Sequence, residues 1–325
     1  MTDAATDTVP DRTDAFEMND RIGRGVNLGN ALEGPREGDW GVTLQEEYFQ
    51  LIADRGFDSV RIPIRWSTHA ANETPYTIDP SFFERIDWAV QNALTRDLVA
   101  VINFHHYEEI FSDPSGHEER FLELWQQVAA HYQDYPQELI FEILNEPHDK
   151  LNTIAWNSLL MKTLNKIRET NPERIIIIGP PKWNAVNQLS YLDLPEDDRN
   201  IIVTFHYYEP HHFTHQGAEW AEGSDAWLGL TWDGTQSQEN DVITAMDGAK
   251  VWAERHDRPL YMGEFGAYSK ADIDSRARWT AFVAQSASER GISWAYWEFC
   301  AGFGIYEPDL KIWMNPLVEA LLPVE

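Results

Sequence analysis

Two glutamates are set apart by their surroundings. Glu146 lies in Leu144-Asn145-Glu146-Pro147 and Glu264 in Met262-Gly263-Glu264-Phe265-Gly266, each just past an apolar, strand-like run (138–143 and 259–261). Two carboxyl groups carried by separate strands to one end of a sheet suit the cutting of a glycosidic bond. One protonates the leaving oxygen, and the other attacks the anomeric carbon or activates water. Further polar residues follow other apolar runs: Arg61 in Val60-Arg61-Ile62-Pro63, His105 and His106 after Val101-Ile102-Asn103-Phe104, Asn145 beside Glu146, His206 and Tyr208 after 201–205, and Trp297 with Glu298 after 292–296. Each is commonplace alone; their recurrence at the end of run after run is the signal.

Such a set needs elements that all end at one face. Strand-like runs fall at 25–28, 59–64, 99–104, 139–144, 174–178, 201–205, 259–263 and 292–297. Several are nearly continuous apolar stretches, such as Ile175-Ile176-Ile177-Ile178, the pattern of parallel strands buried on both faces. Amphipathic stretches lie between them, at 82–94, 121–131, 156–167 and 272–290, with a short closing one at 316–322. Asp79-Pro80 and Asn171-Pro172 punctuate helix boundaries. Eight strand–helix units in one chain predict an α/β fold, a (β/α)8 barrel, whose functional residues sit at the C-terminal strand ends. A doubly wound dinucleotide fold is disfavoured, because Asn27-Leu28-Gly29-Asn30-Ala31 is not the glycine-rich turn such a fold needs. The expected organisation is a polar, partly unstructured segment over 1–20 and one catalytic barrel over 21–325. The irregular stretch 209–239, with His211, His212, His215, Trp220, Trp227 and Trp232, reads as a binding loop.

With these motifs in place the chain resembles glycoside hydrolase family 5 over nearly all of 25–322. The resemblance rests on Asn145-Glu146-Pro147, His206-Tyr207-Tyr208, Gly263-Glu264-Phe265-Gly266 and Ala295-Tyr296-Trp297-Glu298-Phe299. The opening Gly25-Val26-Asn27-Leu28-Gly29-Asn30-Ala31-Leu32-Glu33 is similar to the branch of bacterial thermophilic endo-β-1,4-glucanases with mannanase side activity. The resemblance implies a retaining double displacement with Glu146 as general acid/base and Glu264 as nucleophile. It implies that Asn145 bonds the sugar 2-hydroxyl and that Trp297, held by an unusual cis peptide, floors the scissile sugar. It also implies that Asn30, Glu33, Trp183, His215, Trp220 and Glu298 line subsites.

The chemistry of the residues fits those roles. The acid must keep its proton near neutral pH, and burial beside another carboxylate raises its pKa. The nucleophile must stay ionised, which a guanidinium from Arg61 and a hydrogen bond from Tyr208 favour. His105 and His106 are expected to contact sugar hydroxyls, and His206 to lie near the acid and base. A carboxyl separation of about 5–5.5 Å is expected for retention.

Composition bounds the alternatives. The chain has 325 residues and a formal charge of −29, which argues against nucleic acid. The charge reads as a solvated acidic surface; a sharper reading is adaptation to salt, which screens self-repulsion. Cys300 is the sole cysteine, so no intrachain disulfide forms. No run is long and apolar enough to cross a membrane, and no basic-then-apolar export signal is visible, so the expectation is action either outside the cell as a mature form or in the cytoplasm on imported oligosaccharides. No cofactor is expected. His211-His212-x-x-His215 lacks the glutamate of the helical zinc motif, so no metal is expected, and no Gly-x-Ser-x-Gly elbow is present. The resulting expectation is a monomeric endo-β-1,4-glucanase acting on polysaccharide or oligosaccharide. A β-1,4-mannanase or dual enzyme is the nearest alternative, and a non-catalytic sugar-binding barrel or a phosphosugar isomerase are the others.

Overall fold

The computed structural model describes residues 14–323. Eight parallel strands close into a barrel in chain order. They are β1 (Arg24–Asn27), β2 (Ser59–Ile62), β3 (Val99–Asn103), β4 (Leu139–Glu142), β5 (Ile176–Ile178), β6 (Ile201–His206), β7 (Leu260–Phe265) and β8 (Ser293–Tyr296). All eight predicted runs form strands, and the fold is the expected (β/α)8 barrel.

Alternation along each strand sorts side chains between two cores. Val60 and Ile62 of β2 face outward into the layer shared with the helices, as do Ala100 and Ile102 of β3. Val99, Val101, Ile140, Ile177, Ile202, Tyr261 and Ala295 meet in a separate inner cluster. That cluster is closed from below by Ala15, Met18 and Ile22 of the helix Ala15–Ile22. Asp14 caps this helix by accepting from Glu17 N at 2.8 Å. Ser293 Oγ donates to Asn19 Oδ1 and Ser59 Oγ to the Ile22 carbonyl, both at 2.7 Å, tying the helix to the strand starts. Residues 15–20 of the segment expected to be partly unstructured therefore belong to an ordered plug, and 1–13 lies outside the described residues.

The predicted helices appear as Pro80–Leu94, Pro114–His131, Thr153–Arg168, Ile273–Ser288 and Asn315–Leu321. Asp79 caps the first, with Pro80 in its opening turn. Two differences bear on the cleft. The stretch 209–239 ends early, because Thr235 and Gln238 form a capping box that starts the 21-residue helix Gln236–His256. After β5 no long helix follows; Pro181–Asn184 and the 3-10 turn Val186–Tyr191 take its place. The missing helix leaves a groove of about 650 Å³ between that turn and Gln236–His256, on the outer wall and lined by none of the strand-end residues considered below.

Candidate active site

Polar residues occupy the top of the barrel because the upper inward positions are Asn27, Arg61, Asn103, Glu142, His206 and Glu264 rather than aliphatics, and all six are buried. Register shifts in β6 at Phe205/His206 and in β7 between Met262 and Phe265 re-aim the chain here. Gly263 is required at that point: a Cβ would lie 2.8 Å from Thr204 Oγ1 and 3.3 Å from His206 Nε2.

Arg61 is the hub. It is fully buried, and Nη1 donates to Glu264 Oε1 at 2.8 Å and Asn27 Oδ1 at 2.9 Å, while Nη2 donates to Asn145 Oδ1 at 2.7 Å. Tyr208 O–H donates to the other Glu264 oxygen at 2.9 Å. His206 Nδ1 lies 2.7 Å from Glu146 Oε1 and 3.6 Å from Glu264 Oε2. Asn184 Nδ2 donates to His206 Nε2 at 3.3 Å, which leaves Nδ1 to carry the proton and donate to Glu146. Glu146, His206 and Glu264 each bring one polar atom to within 4.8 Å of the others.

The two carboxyl groups are not equivalent. Burial lifts Glu146 to about 7, against the pull of Arg61, His148 and His106 from a distance. Burial also raises Glu264, but His206, Arg61 and the Tyr208 hydroxyl favour its charged form. Burial lowers His206 to about 4, so its imidazole is neutral. Glu146 is thus the group that holds a proton near neutral pH, and Glu264 the one whose charge is met by donors. Glu146 has a left-handed backbone (φ +47°), and its carbonyl meets His148 Nδ1 at 2.6 Å.

Aromatic rings surround this centre. Trp297 is half-buried and stacks on His105 at 5.6 Å and 10°, and its peptide to Glu298 is cis. Strand alternation would part His105 from His106, but beyond β3 their rings are neighbours at 4.7 Å. His105 is buried, with Nδ1 accepting from Asn103 Nδ2 at 3.1 Å; His106 is half-exposed, edge-on to Trp40 at 5.3 Å. On the Glu146 side Trp183 is exposed and stacks on His148 at 5.0 Å and 11°. It stands in a run of left-handed residues, Lys182, Trp183 and Asn184, so one strained turn presents both the Trp183 ring and the Asn184 amide. On the Glu264 side His215 packs against Tyr208 at 5.0 Å, and the exposed Trp220 packs edge-on against Tyr268 at 4.9 Å. The three histidines of the 211–215 motif do not converge: His211 and His215 stack on each other at 4.2 Å, while His212 stacks on Trp227 at 4.3 Å.

Two of the residues expected to line subsites turn their carboxyl oxygens to the backbone. Glu298 is fully buried, and its oxygens accept from the backbone N–H groups of Cys300, Ala301 and Phe303. Glu33 is also buried; its oxygens accept from Asn30 N and from Ala31 N. Both carboxylates brace loops, because the strand-end turns leave backbone donors that need acceptors. Asn30, in a left-handed conformation and half-buried, is held by Glu33. Sequence reasoning missed Asn27, Asn103, Glu142 and Asn184. Asn27 and Glu142 had a signal, each being a lone polar residue inside an apolar strand.

The Cellulase (glycosyl hydrolase family 5) profile matches residues 20–302. Endoglucanase H of Acetivibrio thermocellus is 39% identical over 94% of this chain and 32% of its own length. The chain spans about a third of that relative and of the next, Cellulase/esterase CelE of the same organism, at 37%. Cellodextrinase A of Ruminococcus flavefaciens is 30% identical over 77% of this chain and 76% of its own. Among solved structures, Thermotoga maritima Cel5A is 51% identical with a TM-score of 0.93, covering 95% of this chain and 100% of its own; it is described in complex with mannotriose and, in another structure, with cellobiose.

Proposed function

The chain belongs to the cellulases of glycosyl hydrolase family 5, and from that premise we propose that it is a retaining endo-β-1,4-glucanase. The observation that carries the reading is the approach of the two carboxyl groups, whose facing oxygens lie within 4.8 Å of each other with His206 between them. Retaining enzymes hold their carboxyls about 5–5.5 Å apart, whereas inverting ones leave roughly 6.5–9.5 Å for a water.

In the first step the protonated Glu146 gives its proton to the glycosidic oxygen, while ionised Glu264 attacks the anomeric carbon. The bond to the leaving chain breaks and a glycosyl ester on Glu264 forms. Glu146 is then a carboxylate that takes a proton from water, and that water displaces Glu264. Asn145, its amide oxygen held by Arg61, has its N–H2 end left for the 2-hydroxyl, a bond that tightens as charge develops on the ring. Trp297 offers an apolar face to the sugar beside the scissile bond, and Trp183 and Trp220 offer platforms on either side.

A second reading, action on mannan as well as glucan, is favoured by the Thermotoga maritima relative, described with both mannotriose and cellobiose. The test is reducing-sugar release from carboxymethyl cellulose, barley β-glucan, glucomannan and galactomannan, with Glu264→Ala as control. Release from the glucans that disappears in the variant supports the reading, and the galactomannan arm separates single from dual specificity. Initial product of inverted configuration by NMR would overturn the mechanism.

A further inference from the structure

Beneath the two reacting carboxyls lies a third. Glu142 ends β4, faces the barrel interior and has no exposed surface. Its Oε2 accepts from Arg61 Nε at 2.6 Å and its Oε1 from Nη2 at 2.9 Å, the bidentate fork of a guanidinium–carboxylate pair. Asn103 Nδ2 adds a third bond to Oε2 at 3.3 Å.

A guanidinium has five N–H donors in a rigid plane. Here all five are engaged: Nε with Glu142, Nη1 with Asn27 and Glu264, Nη2 with Glu142 and Asn145. The fork is turned to Glu142, and Glu264 receives a single arm. We propose that Glu142 is a positioning residue that anchors Arg61 and sets how much of its charge reaches Glu264 and Glu146. This inference rests on the reading that Glu264 attacks and Glu146 donates the proton.

The reason is electrostatic balance in a buried place. With Glu142 charged, the guanidinium has a full counter-charge below and shares only part of its field with the site above. Without that charge, Glu264 becomes its nearest anion, and the fork can turn onto the nucleophile. A carboxylate gripped by both arms is a weaker nucleophile, and the extra positive field draws the proton from Glu146 at lower pH. The groups facing this centre are Arg61 from β2, neutral Asn103 from β3 and His105 just past it, Glu146 past β4, His206 from β6 and Tyr208 just past it, and Tyr261 and Glu264 from β7. Among them Arg61 is the one permanent cation, so Glu142 is the lever on its field. In line with this, burial is the main cause of the raised Glu146 and the charge of Glu142 adds to it in the same direction.

The test compares wild type, Glu142→Gln, Glu142→Asp and Glu264→Ala, each checked for folding by circular dichroism and melting, through kcat and kcat/KM against pH on barley β-glucan, whose sugar leaving group needs the acid. Glu142→Gln removes the charge: both limbs should move to lower pH, the basic limb by about one unit, and kcat at pH 7 should fall at least about tenfold with KM little changed. Glu142→Asp keeps the charge but shortens the anchor, so kcat should fall while the limbs stay. A folded Glu142→Gln with wild-type limbs would overturn the proposal. If that variant does not fold, Glu142→Asp decides: wild-type kcat overturns the proposal, and a fall with unmoved limbs upholds it. Full activity in Glu264→Ala would instead overturn the premise, whatever Glu142 does.

Discussion

Glu146 and Glu264 show how one environment makes two different carboxyl groups. Burial raises both, but Glu264 has Arg61, Tyr208 and His206 within reach of its charge, and among the described residues Glu146 has only His206 as a direct side-chain partner. Under the proposed mechanism kcat/KM should therefore fall above pH about 7, where Glu146 loses its proton. Glu146→Gln should lower kcat by about 10²–10⁴ on polysaccharide and abolish that basic limb. An aryl glycoside with a good leaving group should lose far less in the first step, seen as a burst of phenol. A basic limb that persists in Glu146→Gln would assign the titration to another group. At this scale the sequence was most legible where the side chain is itself the reactive group. Arg61 interrupts an apolar run and Glu146, His206, Tyr208 and Glu264 follow one, and the structure brings all five together. For Glu33 and Glu298 the residue type did not reveal that the carboxyl oxygens face backbone N–H groups. Asn184 was invisible, since its approach to His206 depends on a left-handed turn with no glycine to mark it.

The elements place these groups, and they differ in how openly the sequence announces them. Strands buried on both faces write themselves as apolar runs, so all eight were legible. Helices with a narrow buried stripe do not. Gln236–His256 buries only Val242, Met246, Ala249 and Trp252 along 21 residues, and its polar face masks the period. Ala15–Ile22 was hidden for a different reason: it buries Ala15, Met18, Asn19 and Ile22 in an acidic, polar stretch, and its value comes from the barrel floor it closes. Met18 has no exposed surface. Met18→Ala should cost about 2–5 kcal/mol, read as a lower midpoint in chemical denaturation, with kcat on β-glucan unchanged because the site lies at the opposite end of the strands. An unchanged midpoint would show that the barrel is closed without this helix. The loops at the upper end should behave in the reverse way. Trp220 is 62% exposed and touches the site only through Tyr268, His215 and Phe303. Trp220→Ala should leave the midpoint within about 0.5 kcal/mol while raising KM for long glucan chains more than for cellotriose. An equal change for both lengths would place the ring outside the sugar path.

For the whole molecule, charge is the property that the fold leaves unresolved. With 54 acidic and 25 basic residues, most carboxylates have no cationic partner to find, so the compact state carries net self-repulsion. Raising NaCl from about 0.05 to 1 M shortens the screening length to about 3 Å, and the melting temperature should rise; a flat response would mean that repulsion is not a stability term here. Measured at constant high salt, the pH dependence isolates the buried groups. Burial raises Glu33, Glu146 and Glu298 to about 7 from the ordinary 4.5. Between those values the folded chain keeps protons that the unfolded chain has lost, so these groups make stability fall as pH rises. His206 and His215 are lowered by burial to about 4 and about 3 from 6.5, and His105 is lowered well below 6.5. Here the unfolded chain binds the extra protons, so these groups make stability rise with pH up to about 6.5. The two sets oppose each other from about 4.5 to about 6.5, leaving a plateau there. Below it the histidines act together with the lowered carboxyl groups of Asp79, Glu108 and Glu138, and stability drops with acid; just above it the raised glutamates dominate and stability declines to about pH 7. The melting temperature should therefore be nearly level from pH 5 to 6, and lower at both pH 4 and pH 8. A melting temperature that keeps climbing from pH 6 to 8 would show that the three glutamates are ionised in the folded protein well below neutral pH, and with that the assignment of Glu146 as the resting proton donor would lose its support.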